Sequence, residues 1–121
     1  MTTPATAQAL FDLTLELDPA ALPLAYTVLH CDDTLHPEVR NGIIHTLGLV
    51  APAQPATRVD EALATIVGIR AAGMHGPVAM ETMQRCWRFI VSCDARPAAD
   101  AALAWMDAVR AIAEVDGVTV H

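Results

Sequence analysis

Pro37-Glu38-Val39-Arg40-Asn41-Gly42-Ile43-Ile44-His45-Thr46-Leu47-Gly48-Leu49-Val50 is the stretch on which the reading of this chain turns. Proline fits the first turn of a helix, and Glu38 stands beside the positive end of the helix dipole. Val39, Ile43, Leu47 and Val50 then recur at the spacing of a single helical face. The sequence predicts an amphipathic helix over 37–50.

The same punctuation by proline and small polar residues divides the rest of the chain. A first helix is predicted over 5–17, with Leu10, Leu13 and Leu17 and Phe11 on its apolar side, stopped by Asp18-Pro19. A second is predicted over 20–31, apolar at Leu22, Tyr26 and Leu29, running into Cys31-Asp32-Asp33. APAQPAT at 51–57 reads as a connecting loop, because it is too rich in proline to continue a helix. A fourth helix follows over 57–72, with Thr57 as N-cap and Leu63, Ile66, Val67 and Ile69 in its body, ending near Gly73. Met74-His75-Gly76-Pro77 reads as a turn. The fifth helix, 77–93, carries Met80, Met83, Trp87, Ile90 and Val91. The sixth, 97–115, carries Leu103, Met106, Val109, Ile112 and Ala113, and the tail DGVTVH reads as frayed or extended. Alanine is abundant, only 4% of residues are aromatic, and β-branched residues form no runs bounded by turns, so helix is favoured throughout.

Laid over itself with a shift of 40, the chain shows a repeat. Asp60-Glu61-Ala62-Leu63-Ala64 falls on Asp100-Ala101-Ala102-Leu103-Ala104, Ile69-Arg70-Ala71 on Val109-Arg110-Ala111, and Pro37 on Pro77. Alanine matches are cheap here, so the leucine, arginine and proline coincidences carry the comparison. The stretch Asp32 to Gly48, in which a short acidic turn leads into Pro37, Glu38, Val39 and Arg40, then an apolar face and Leu47-Gly48, resembles the second helix of a HEAT repeat. The resemblance covers about residues 19–113. Gly76-Pro77-Val78-Ala79-Met80-Glu81 keeps the proline of the motif and loses its Val-Arg. What the resemblance implies is an all-α fold of six helices in antiparallel pairs, stacked right-handedly. A compact six-helix bundle is the alternative.

At 121 residues, 54% of them hydrophobic and 17% charged, the chain is predicted to fold as one domain over 1–121 without staples. A net charge of −7 argues against nucleic acid or an anionic membrane as partner. All seven basic residues are arginine, which removes a Schiff-base or phosphate-gripping lysine. Three cysteines, Cys31, Cys86 and Cys93, make neither a disulfide framework nor a zinc ribbon and suit a reducing cytoplasm. The N-terminal MTTPATAQALFDLTLEL lacks a basic start and carries Asp12 and Glu16, so it does not read as a signal peptide.

Chemistry-bearing clusters are few. His30-Cys31-Asp32-Asp33 with His36 gathers five potential metal ligands, but without the second paired group a structural zinc site uses, and capping aspartates beside a buried thiol explain it. Met80, Met83 and Cys86 have the spacing of a soft-metal site and equally of a core face packing on Trp87. No GxSxG, P-loop or GxGxxG occurs, and Asp12 with Glu16 reads as a solvated pair. No catalytic residue, metal or cofactor is therefore assigned. Removing the core positions leaves Glu38, Asn41 and His45 on the third helix and Glu81, Arg85 and Arg88 on the fifth. In a stack these would lie side by side as a polar strip for a protein partner. The expectation is a non-catalytic interaction module, an adaptor or inhibitor. An acidic phage- or mobile-element-type inhibitor that mimics nucleic acid is the rival, disfavoured because the carboxylates are interleaved with arginines. A metal protein using the His30–His36 turn is the third. Leu10-Phe11-Leu13 and Trp105-Met106 are the end surfaces expected to invite a homo-oligomer.

Overall fold

Prolines and side-chain caps fix where each helix begins. The computed structural model describes residues 4–31, 35–50 and 57–115. Helix α1 spans Pro4–Leu15; a 3-10 turn at Pro19–Ala21 leads into α2, Leu22–Cys31; α3 spans Pro37–Val50, α4 Arg58–Ala71, α5 Pro77–Ser92 and α6 Arg96–Val115. The chain is all-α, as its periodicity predicts. The loop at 51–56, the Asp32-Asp33-Thr34 turn, the Val50 side chain and the tail at 116–121 lie outside the described residues.

Two boundaries differ from expectation for identifiable reasons. The predicted helix over 20–31 starts as a tight turn, because the Asp18 carboxylate accepts the Ala20 N–H at 2.8 Å and winds Pro19–Ala21 as 3-10 before α2 begins. The first helix closes at Leu15, two residues early, with Leu17 N–H reaching only to the Thr14 carbonyl. Thr57 is the N-cap of α4, as predicted, and it works reciprocally with Asp60. The Asp60 N–H donates to Thr57 Oγ1 at 3.2 Å while the Asp60 carboxylate accepts the Thr57 N–H at 2.7 Å. The same carboxylate, 5% exposed, also accepts the Thr57 hydroxyl at 2.8 Å and, from α2, the Thr27 hydroxyl at 3.2 Å. One buried charge thus caps α4 and ties it to α2.

The core sits around α2, which packs on α4 and α6 and also on α3. Val28 and Leu29 of α2, Leu47 of α3, Leu63 and Ile66 of α4, Ile90 of α5 and Met106 and Val109 of α6 are fully buried. Each such side chain contributes about 1.5–3 kcal/mol relative to exposure. Ala25 of α2 and Ala99, Ala102 and Ala113 of α6 are buried too, and small side chains let helix axes approach closely. Helix α6 also returns to α1, a contact between the two ends of the chain. Helix α1 completes its packing on α3, while α5 packs chiefly on α4.

Three apolar expectations change in the structure. Trp105 and Met106, expected at an exposed end, are buried, because α6 is covered by α1 and α2. Of the other expected end surface only Phe11 is exposed; Leu10 is buried, because it and Leu13 and Leu17 form the stripe that packs inward. Met80 and Val91 of α5 are exposed as well. Trp87 is half-buried and is covered by cations, with the Arg96 guanidinium 4.1 Å from its ring centroid and Arg70 at 5.9 Å.

Candidate functional site

The six residues expected to form one partner-binding strip fall in the structure into two separate trios. Glu38, Asn41 and His45 share the outer side of α3. Glu81, Arg85 and Arg88 lie on the outer face of α5, where Arg85 pairs with Glu81 at 2.9 Å across one helical turn, both well exposed. A single strip would require α3 to lie along α5. Instead α3 packs on α1 and α2 and α5 on α4 and α6, so the strip is divided between two parts of the surface. The Glu81–Arg85 pair is a solvated i,i+4 pair of small energetic weight.

Beside the α3 trio lies a groove. Leu10 and Thr14 of α1 and Glu38, Val39, Gly42, Ile43 and Thr46 of α3 line a cavity of about 310 Å³ between the two helices. It exists because α3 turns small side chains toward α1: a Cβ added at Gly42 would meet nothing within 4 Å. The Thr14 hydroxyl donates to the Leu10 carbonyl at 2.8 Å and the Thr46 hydroxyl to the Gly42 carbonyl at 3.0 Å, so both are satisfied within their own helices. The walls are therefore apolar in effect, with Glu38 the one charged residue lining them. Phe11 and Leu15, 36% and 52% exposed, are further apolar side chains that α1 leaves open to solvent. On α3, Asn41 and His45 are exposed but are not among the residues that line the groove.

A second cavity, also about 310 Å³, is lined by Cys31 of α2, Val67, Arg70 and Ala71 of α4, and Leu103, Asp107 and Arg110 of α6. Asp107 accepts Arg110 at 2.7 Å. Burial pushes the Cys31 thiol above the usual thiol range, which makes it a poor nucleophile at neutral pH. His30 and His36 are exposed, and His36 Nδ1 accepts the Glu38 N–H at 3.2 Å, an ordinary helix-start contact. Among the described residues no three His, Cys, Asp or Glu side chains converge as a metal site would require. Among them, too, no helix is long and apolar enough to cross a membrane.

Charge is distributed unevenly about these features. Residues 1–39 contain six carboxylates (Asp12, Glu16, Asp18, Asp32, Asp33 and Glu38) and no arginine or lysine. Residues 40–121 hold eight carboxylates against seven arginines and are nearly neutral. The carboxylates do not alternate evenly with arginines along the whole chain: nearly all of the net charge resides in the third that supplies α1 and the first turn of α3. Counting charge by segment finds this acidic end from the sequence alone.

Comparison with known proteins finds no family model, no curated relative and no solved structure that matches the chain. The functional reading rests on the geometry.

Proposed function

We propose that this protein is a non-catalytic interaction module whose working surface is the α1–α3 groove. The observation that carries the reading is an open, largely apolar cavity of about 310 Å³ between α1 and α3, lined by Leu10, Val39, Gly42 and Ile43 with Glu38 among them, on a helix α1 that also leaves Phe11 and Leu15 exposed. Large apolar side chains left exposed cost solubility, and contact with a partner removes them from water. Among the described residues the groove is lined by no thiol, histidine or metal set, so what these residues offer is shape. We read the packing of α2 with α4 as the stacking that the HEAT resemblance implies, whereas α3 packs on α1, outside the stretch the resemblance covers, and not along α5. The contacts of α6 with α1 and α2 are equally what a compact six-helix bundle would make. Three free thiols suit a cytoplasmic setting.

The rival reading, an acidic inhibitor of a nucleic-acid enzyme, gains from the carboxylates gathered in residues 1–39. It loses because Glu38 lies in a groove whose walls are otherwise uncharged, whereas a phosphate mimic works through an exposed carboxylate array. The test is site-specific photocrosslinking in the native host from a benzophenone side chain at His45 or, as a control, at Gln84 on α5. A discrete crosslinked protein from position 45 that disappears with Gly42→Leu supports the module. Identical products from both positions, or none that depends on Gly42, overturn it.

A further inference from the structure

The walls of the α1–α3 groove restrict what can occupy it. Both are α-helices, whose mid-segment N–H and C=O groups are already bonded within the helix, so an extended peptide would find no backbone partners there. The occupant must satisfy its own backbone, as a helix does. From Glu38 to Thr46 the α3 wall runs about 12 Å at 1.5 Å per residue, room for roughly two turns of a third helix. Gly42 and Thr46, one turn apart and both small, leave space for that helix to approach closely.

Charge selects among such helices. Glu38 is the one charged residue lining the groove, and no arginine of the described residues bonds its carboxylate. Asp12 and Glu16, both exposed, lie on the side of α1 turned away from the groove and act on a partner only through the acidic field of residues 1–39, which contain no arginine or lysine. An acidic helix would meet repulsion at Glu38 and in the acidic field around it; a basic one would be steered in and would pair at Glu38. A second copy docking through the outer face of its α1 would set Asp12 and Glu16 against Glu38. Docking through α5 would offer Arg88 but is head-to-tail and open-ended, and Arg85 is already held by Glu81.

We infer that the α1–α3 groove receives an amphipathic helix of a partner protein, with an apolar stripe facing Leu10, Val39 and Ile43 and lysine or arginine on its flank opposite Glu38. This rests on the interaction-module reading above and adds the chemistry of the partner.

The experiment uses the full chain and three labelled synthetic helical peptides of about 18 residues, long enough to hold helix on a surface. One carries a leucine stripe at i, i+3, i+4 and i+7 with lysine flanks, one the same stripe with glutamate flanks, and one the lysine composition scrambled to destroy the stripe. Fluorescence anisotropy is expected to give a Kd for the striped lysine peptide at least about tenfold below those of the other two. Gly42→Leu should abolish that binding, Glu38→Lys should weaken it about tenfold, and raising salt should weaken it further by screening. Circular dichroism checks that both variants fold; a Cβ at Gly42 meets no atom within 4 Å, so the backbone there accepts a side chain. Equal binding of lysine and glutamate peptides, lost in Gly42→Leu, overturns the basic partner while leaving the groove as a docking surface. Binding of the scrambled lysine peptide as tightly as the striped one, no binding of any peptide, or binding unaffected by Gly42→Leu overturns the inference outright. So does a dimer in sedimentation that Gly42→Leu converts to monomer, which would make a second copy the occupant.

Discussion

Replacing Asp60 by alanine removes more than one helix cap. The carboxylate is 5% exposed and accepts three hydrogen bonds: from the Thr57 N–H at 2.7 Å, the Thr57 hydroxyl at 2.8 Å and the Thr27 hydroxyl at 3.2 Å. Losing a capping interaction costs about 1 kcal/mol. A hydrogen bond to a charged acceptor adds about 1.5–3 kcal/mol, here reduced because the exposed Thr57 donors can turn to water and because burying the carboxylate is itself costly. The half-buried Thr27 hydroxyl is the donor that cannot recover fully: its other acceptor, the Pro23 carbonyl, lies at 3.5 Å. The expected loss for Asp60→Ala is about 2–3 kcal/mol, or roughly 6–15 °C in Tm for a domain of this size. Thr57→Ala should cost about 1 kcal/mol and Thr27→Val about 1 kcal/mol. Asp60→Asn should fall between, since its amide presents a donor where two donors already converge. Urea unfolding followed by far-ultraviolet circular dichroism measures each variant. The Asp60→Ala, Thr27→Val cycle should give a coupling of about 0.5–1.5 kcal/mol. A loss below about 0.5 kcal/mol for Asp60→Ala, or additive single losses, would refute the idea that this carboxylate joins α4 to α2.

Leu63→Ala and Ile90→Ala, at fully buried positions of α4 and α5, are expected to cost about 2–5 kcal/mol each in the same assay. Val78→Ala, at a position 78% exposed, should stay within about 0.5 kcal/mol. Gly42→Ala should raise stability by about 0.5–1 kcal/mol, because the backbone is already helical and the new methyl meets no neighbour; a loss would mean that the groove is narrower than described. Because burial raises the Cys31 thiol, the unfolded chain ionises first as pH climbs. Stability is therefore whole below the ordinary thiol pKa of about 8.5 and declines above it, and Cys31→Ala should flatten that alkaline decline in unfolding curves taken at several pH values. Arg96→Ala uncovers the Trp87 ring and should shift its fluorescence toward the emission of hydrated indole at a cost of about 0.5–1 kcal/mol.

Sequence alone determined whatever depends on neighbours a few residues apart. Pro37 and Pro77 mark helix starts by their fixed φ, Thr57 announces α4 by its reach to the third residue on, and Val39, Ile43 and Leu47 declare a buried face by their spacing. The same reasoning places Glu38, Asn41 and His45 together on the outer side of α3, and the acidic bias of residues 1–39 can be counted without coordinates. What it could not settle was which helices lie against each other. Helix α3 pairs with α1 and not with α5, so Glu38 lines a groove while Arg85 and Arg88 face water elsewhere. Trp105, at an expected end, is enclosed because α6 folds back on α1 and α2. An amphipathic stripe specifies that a face must be buried and says nothing of what buries it, because apolar contact is non-directional; only the packed structure assigns each face its partner and leaves Gly42 beside an open cavity.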